Sequence, residues 1–460
     1  MTLIKSISGI RGTIGGRPGE SLSPVDVVKF ASAYGTWILR RNTYPKARIM
    51  VGRDARSTGG MLSSLVIAAL RGLGIDVTDL GLATTPTVEI AVTGACASGG
   101  VIITASHNPA SWNALKLLNE NGEFLSASDG NEILALASVD DYNFATHDKT
   151  GALSADSSWG KRHIDLVLDL KQVDVNAIKA AGFTLAVDCI NSVGSLVLPE
   201  LLERLGVKKI YLLNGTPDGN FAHDPEPLPE HLAGISDLVK GKNADLGFVV
   251  DPDVDRLAVV CEDGSMFGEE YTLVAVADYI LSQKPGNTVS NMSSTRALKD
   301  ITEKHGGKYF TSAVGEVNVV EEMKIRGALI GGEGNGGVIF PELHYGRDAL
   351  AGIALFLSHL AKCGLKCSDL RRSYPSYFIA KKKVALEPGT DIEMILSEIR
   401  RKFSGQKIDE RDGIRIDYEN GWVQVRKSNT EPVLRIYSEG RTEAEAGELA
   451  AAITTIVNKH

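Results

Sequence analysis

Along most of its length the chain alternates short apolar runs of strand length with segments whose apolar residues recur at helical spacing, and this alternation starts afresh three times. A helix must bury one stripe and a strand one or both faces, so such a rhythm folds into layered α/β units with parallel-rich sheets. The first unit opens with Ser23 as N-cap and Pro24 at the first helical position, followed by Val27, Phe30, Ala31, Tyr34 and Ile38 on one face as far as Arg41. Strands are predicted over 47–51, 77–80 and 101–104, with a helix over 61–73. The second unit brings strand 183–188, helix 195–205 and strand 209–213. The third resumes from Leu246, with strands over 257–261, 288–292 and 328–330 and helices over 270–281 and 347–361.

A length of 460 residues exceeds what one hydrophobic core fills. The expectation is an α/β fold of three related domains over 1–150, 151–255 and 256–370, followed by a smaller α+β domain over 371–460. The polar, small-residue stretch 146–158 marks the first boundary. In the last unit the pattern changes to strand 380–386, helix 392–403 and strands 421–425 and 433–438.

The formal charge of −8 argues against nucleic acid and anionic membranes as partners, since both need an excess of Lys and Arg. An anionic substrate then requires local basic residues. No run approaches the roughly 18–20 apolar residues of a membrane span, and the start MTLIKSISGIRG has no apolar core of a secretory signal. Five scattered cysteines suit reduced thiols, so a cytoplasmic enzyme is expected.

Four polar motifs stand where a predicted strand ends and a loop begins, the position at which α/β proteins bind ligands. Thr104-Ala105-Ser106-His107-Asn108-Pro109 follows the apolar run 101–103. A hydroxyl at a rigid strand end can be held in line with a transferable phosphoryl group, although Ser, Asn and Pro equally suit a plain turn. The Gly-x-Ser-x-Gly of a hydrolase elbow is absent. Asp251-Pro252-Asp253-Val254-Asp255-Arg256 sets three carboxylates at alternate positions, a ligand set for Mg²⁺ or a solvated acidic turn. Glu262 completes the spacing of a calcium loop, but Arg256 replaces the glycine that loop needs and residues 257–261 read as a strand.

Gly332-Glu333-Gly334-Asn335-Gly336-Gly337 is either a flexible turn or a loop that lets backbone approach a ligand, with Glu333 and Asn335 offering the acceptors and donors sugar hydroxyls require. Arg426-Lys427-Ser428-Asn429-Thr430-Glu431-Pro432, with Arg435 beyond it, gathers donors suited to phosphate oxygens or forms a solvated hairpin. A fifth motif, Ser8-Gly9-Ile10-Arg11-Gly12, flanks an arginine with glycines; Arg11 can reach into a cleft or lie in an exposed turn.

In this order the motifs closely resemble the α-D-phosphohexomutase superfamily, which includes phosphoglucosamine mutases and phosphomannomutase/phosphoglucomutases, over essentially the whole chain. The resemblance implies three α/β domains and the smaller last one arranged around a central cleft. It implies Ser106 as phosphoserine and metal ligand, and Asp251, Asp253 and Asp255 as ligands of one Mg²⁺ ion. Arg11 and Lys116, the latter in Asn113-Ala114-Leu115-Lys116, would assist acid–base chemistry, with His107 beside the nucleophile. Arg256, Glu333 and Asn335 would face the sugar, while Arg426, Ser428, Asn429, Thr430 and Arg435 would clamp the non-reacting phosphate.

Two positions depart from the family pattern. Gly337 stands where many members carry a histidine near the reacting hydroxyl, with His344 downstream as a candidate replacement. Glu316 stands where several hexomutases offer a histidine to the sugar. The implied reaction moves a phosphoryl group between the 6- and 1-hydroxyls of a hexose phosphate through a hexose bisphosphate, with glucosamine phosphate favoured over mannose or glucose phosphates. A Mg²⁺-dependent sugar phosphatase using the same serine is the alternative from another class, and a non-catalytic sugar-phosphate sensor a third.

Overall fold

A computed structural model describes residues 2–6, 9–387, 390–428 and 433–459. The predicted first helix runs over Pro24–Arg41, and Ser23 closes it in a capping box with Asp26. The first sheet orders seven strands as Leu3–Ser6, Gly9–Thr13, Trp112–Leu118, Gly99–Ile103, Arg48–Arg53, Asp76–Leu82 and Leu153–Ala155. The last four are mutually parallel, whereas Trp112–Leu118 runs antiparallel to both its neighbours, Gly99–Ile103 and Gly9–Thr13. Apolar residues cover both faces of this sheet, one under the helices Pro24–Arg41 and Gly59–Gly72, the other under Thr85–Gly94.

The second sheet orders Leu257–Cys261, Leu246–Val250, Thr184–Asp188 and Lys209–Leu213; the third orders Tyr309–Ser312, Thr288–Asn291, Ile330–Glu333 and Gly337–Ile339. Leu257–Cys261, which the sequence pattern assigns to the opening of the third unit, is hydrogen-bonded antiparallel to Leu246–Val250 and belongs to the second sheet. The six residues between these strands suffice for a hairpin but not for a parallel crossover, and this decides the matter. The second and third units also merge their cores. One continuous apolar cluster runs from Ile164 to Tyr377, and the helix Ala349–Cys363 lies within it, its Phe356 meeting Phe248 and Phe267 edge to face.

The last sheet, of Phe378–Ala385, Val433–Gly440, Trp422–Lys427, Ile414–Asp417 and Lys407–Asp409, is antiparallel throughout and has its own core. It meets the third domain through polar contacts. Arg296 donates to the carbonyls of Glu419, Tyr418 and Gly421, and Ser293 donates to Gln424. A polar seam separates at less expense in exposed apolar surface than a shared core does.

All four ligand motifs share one topological address. Each is the loop of a hairpin: Gly99–Ile103 into Trp112–Leu118, Leu246–Val250 into Leu257–Cys261, Ile330–Glu333 into Gly337–Ile339, and Trp422–Lys427 into Val433–Gly440. The sequence pattern places them after strands and offers a hairpin for the Arg426 motif, but does not reveal the antiparallel return of the other three.

Candidate active site

Ser106 has φ of 49°, a left-handed backbone conformation that a serine keeps only where its surroundings impose it. Its N–H donates to Thr104 Oγ1 at 2.9 Å, and its carbonyl accepts from Arg56 Nη2 at 2.6 Å. The Arg56 side chain is 0% exposed and ion-paired to Asp54 at 3.0 Å. It also donates to the carbonyls of Asn108, Pro109 and Trp112, so one guanidinium holds the whole loop. Asp54 in turn accepts from Thr104 Oγ1 at 2.6 Å.

Held in this way, Ser106 Oγ donates to Asp251 Oδ2 at 2.8 Å, joining residues 145 positions apart. Asp253 Oδ2 accepts from Thr85 Oγ1 at 2.6 Å and from Lys116 Nζ at 2.7 Å. Asp255 Oδ2 accepts from Arg347 Nη2 at 2.7 Å, with Lys116 Nζ at 3.4 Å. The second oxygens, Asp253 Oδ1 and Asp255 Oδ1, are buried without a hydrogen-bond partner. Ligand oxygens of Asp251, Asp253 and Asp255 lie within 4.8 Å of one another. Two orphaned buried carboxylate oxygens converging with a third carboxylate are costly unless a cation joins them, so the residues fit a hard divalent metal.

The electrostatics agree with that arrangement. Burial, then the neighbouring Asp253 and Asp255 carboxylates, push Asp251 well above the usual carboxyl range. Burial would do the same to Asp255, but Arg347 and Lys116 hold it below that range. Burial alone would lower Lys116; Asp253 and Asp255 outweigh it and keep the side chain an ammonium. Arg11, on the strand Gly9–Thr13 and in register with Ala114, is lowered by burial and by the Arg256 guanidinium. His107, whose Nδ1 lies 3.4 Å from Ser106 Oγ, is held well below the ordinary histidine value by burial, Arg256 and Arg11, so its imidazole is neutral. Cations crowded closely enough to depress one another around a hydroxyl mark a place made for an anion.

Glu333 projects from the end of its strand rather than from a loop. The glycines before it are loop signals in the sequence, yet packing demands them, because a Cβ at Gly331 would lie 2.6 Å from the Val289 carbonyl oxygen. Glu333 accepts from Asn291 Nδ2 at 2.8 Å and from Arg347 Nη1 at 2.6 Å, and Asn335 lies beside it. Arg347 therefore brings Glu333 to the metal loop. Arg426 and Arg435 face each other across the last hairpin, in register. Ser428 is buried at the mouth of that hairpin, while Asn429, Thr430, Glu431 and Pro432, like Ser8 of the fifth motif, fall outside the described residues.

His344, the candidate replacement for the family histidine, lies in a buried cluster of charged side chains. Its Nε2 donates to Asp348 Oδ2 at 3.2 Å and its Nδ1 lies 3.3 Å from Glu89 Oε2, in a buried cluster where His163 also donates to Asp348 at 2.8 Å. Burial pushes His344 down, but Asp348 and Glu89 outweigh it and raise it to about 10, so at neutral pH it already carries its proton. A histidine raised in this way binds its proton more tightly folded than unfolded. Its stabilisation is full below the ordinary value of 6.5 and is lost as pH climbs through about 10. Thermal unfolding should therefore show a midpoint that falls between pH 7 and 10, and His344→Gln should flatten that fall; an unchanged slope would refute the ion pair.

Arg56, Asp54, Thr85 and Arg347 do not stand out in the sequence as site residues. The first two carry a signal, since Arg53-Asp54-Ala55-Arg56 also follows a predicted strand, 47–51. Arg347 is the first residue of a predicted helix, but Asp348 is the N-cap, accepting from the N–H groups of Leu350 and Ala351, and Arg347 precedes the helix.

Among the described residues no single helix is long and apolar enough to cross a membrane. Residues 3–143, 161–264 and 268–377 match alpha/beta/alpha domains I, II and III of phosphoglucomutase/phosphomannomutase, and residues 382–456 match the C-terminal domain. A phosphoglucomutase/phosphomannomutase of Thermococcus kodakarensis is 37% identical over 95% of this chain and 96% of its own length. A probable phosphoglucosamine mutase of Methanopyrus kandleri is 33% identical over 98% of this chain and 97% of its own. The crystal structure of a phosphoglucomutase/phosphomannomutase family protein from Burkholderia thailandensis superposes with a TM-score of 0.85 at 25% identity, covering 99% of this chain and 97% of that one. With every domain matched in order and whole-length relatives above 30% identity, the chain belongs to the phosphoglucomutase/phosphomannomutase family.

Proposed function

We propose that the chain is a Mg²⁺-dependent phosphohexomutase that interconverts hexose 6-phosphate and 1-phosphate through phosphorylated Ser106 and a hexose bisphosphate, with glucosamine phosphate as its preferred substrate. The observation that carries this reading is Ser106 Oγ at 2.8 Å from Asp251 in a buried acidic triad. A divalent cation held by Asp251, Asp253, Asp255 and the seryl oxygen would neutralise charge on the transferring phosphoryl group.

The residues of the chain do the rest. A free hydroxyl of the bound monophosphate attacks the phosphorus of phosphoserine; the new P–O bond to the sugar forms as the bond to Ser106 Oγ breaks, and the hydroxyl proton leaves to a nearby base. In the second half the bisphosphate returns its other phosphoryl group to Ser106. Arg11, Arg256 and the Lys116 ammonium face the negative charge, and Lys116 can donate a proton to a departing oxygen. Neutral His107 is able to accept one beside the serine. Glu333 and Asn335 accept from sugar hydroxyls in either orientation, while Arg426, Ser428, Asn429, Thr430 and Arg435 hold the phosphate that is not reacting. Because both ends of the bisphosphate must visit one serine, the last domain has to loosen and reclose, and its polar seam supports such movement. Five free thiols, three of them buried, suit a cytoplasmic enzyme.

Mass spectrometry should find phosphate on Ser106 of the purified protein. Assays on the 1- and 6-phosphates of glucosamine, glucose, mannose and N-acetylglucosamine should yield the isomeric monophosphate without inorganic phosphate, fastest for glucosamine. Phosphate released in proportion to substrate consumed would instead identify a phosphatase. A clear preference for mannose or glucose phosphates would remove the glucosamine assignment alone.

A further inference from the structure

Arg347 lies between the hairpin strand Gly337–Ile339 and the helix Ala349–Cys363, and its guanidinium meets carboxylates from three separate segments, a loop, a strand end and a helix start. Nη2 donates to Asp255 Oδ2 at 2.7 Å, Nη1 to Glu333 Oε2 at 2.6 Å, and Nε lies 3.2 Å from Glu316 Oε2, while the Arg347 backbone N–H donates to Glu316 Oε1 at 2.9 Å. Asp255 belongs to the metal loop and Glu333 to the sugar loop. By engaging Oδ2 of Asp255, the guanidinium leaves Oδ1 as the oxygen without a partner; by engaging Oε2 of Glu333, it fixes that carboxylate against Asn291 and the Gly315 N–H. A guanidinium accepts no proton in a protein, so this is not an acid or a base. A planar fork bridging two carboxylates fixes both their orientations, which a lysine's point charge cannot do.

The same side chain explains Gly337. Its backbone is not left-handed, so conformation does not call for glycine there; space does. A Cβ at position 337 would overlap Arg347 Cδ and lie 2.9 Å from Arg347 Cγ and 3.1 Å from Asn335 Oδ1.

We propose that Arg347 is a positioning residue that ties the metal loop to the sugar loop, so that binding of the divalent cation and binding of the hexose phosphate reinforce each other through one guanidinium. This rests on the functional reading above. Coupling between two ligands is reciprocal and measurable without turnover.

The test is titration calorimetry on a Ser106→Ala background, which cannot turn over, with glucosamine 6-phosphate and glucose 6-phosphate as probes, each with and without saturating Mg²⁺. Mg²⁺ should tighten sugar-phosphate binding by at least about fivefold, and Arg347→Met should bring that factor close to one, with Arg347→Lys in between. Coupling that persists undiminished in Arg347→Met would overturn the assignment while leaving the mutase reading in place. Failure of the Ser106→Ala protein to bind any hexose phosphate would overturn both. The steric half has its own readout, thermal unfolding. Gly337→Ala should lower the midpoint when Arg347 is present and be nearly neutral in an Arg347→Ala background; additive effects would show that Arg347 is not what keeps position 337 a glycine.

Discussion

Replacing Ser106 by alanine should reduce interconversion of the 6- and 1-phosphates by on the order of 10⁴-fold or more, the scale seen when a covalent nucleophile is removed. The expectation follows from geometry. The seryl oxygen lies 2.8 Å from Asp251 of the acidic triad and sits in a loop, whereas the Thr85 hydroxyl on Asp253 belongs to a helix, and the Ser106 backbone is held in a left-handed conformation by Thr104 and Arg56 so that it stays there. His107 is its neighbour, with Nδ1 3.4 Å from the seryl oxygen. The loop should survive the change, because its supports act on backbone atoms of residue 106 rather than on the hydroxyl. Unfolding stability should accordingly stay within about 1 kcal/mol of the parent, as for most single changes outside the packed core. Retention of even a tenth of the parent rate, with the fold intact, would rule out Ser106 as nucleophile.

Arg56→Met should lower unfolding stability by about 3–5 kcal/mol, the usual loss when one partner of a buried ion pair is removed. Asp54 would be left fully buried with only the Thr104 hydroxyl and the residue 56 N–H to satisfy it. The carbonyls of Ser106, Asn108, Pro109 and Trp112 would lose their common donor at the same time. Pairing the change with Asp54→Asn should recover only part of the loss, because that relieves the stranded charge but not the carbonyls. Activity should fall in both variants even where the protein folds, since nothing else in the loop replaces the support of the Ser106 carbonyl. A stability loss below about 1 kcal/mol in Arg56→Met, by urea unfolding, would show that the loop is held by other means.

Strands, helices and caps come from local patterns of apolar spacing and turn residues, which is why the helix Pro24–Arg41, the strand Lys209–Leu213 and the strand Leu257–Cys261 are legible in the sequence. The phosphoryl and metal motifs are legible for a related reason: hydroxyl, carboxylate and arginine clusters at strand ends have chemistry that follows from residue type alone. What the sequence does not contain is which strand a returning segment pairs with. Local pattern therefore assigns Leu257–Cys261 to the wrong unit and gives no sign of the merged core of the second and third domains. Nor does it contain the long-range partners.

Arg56, Arg347 and Thr85 are ordinary residues in ordinary local settings, and their roles arise from contacts with loops as far as 168 positions away. His344 shows a mixed case, a residue that the fold ties both to Asp348, four positions on, and to Glu89 from a distant helix. By itself, then, the sequence determined the elements, the number of α/β units and the chemical kind of the site. The tertiary structure alone decided the pairings, the charges and the supports, because hydrogen bonding and burial act through space between residues that no local pattern links.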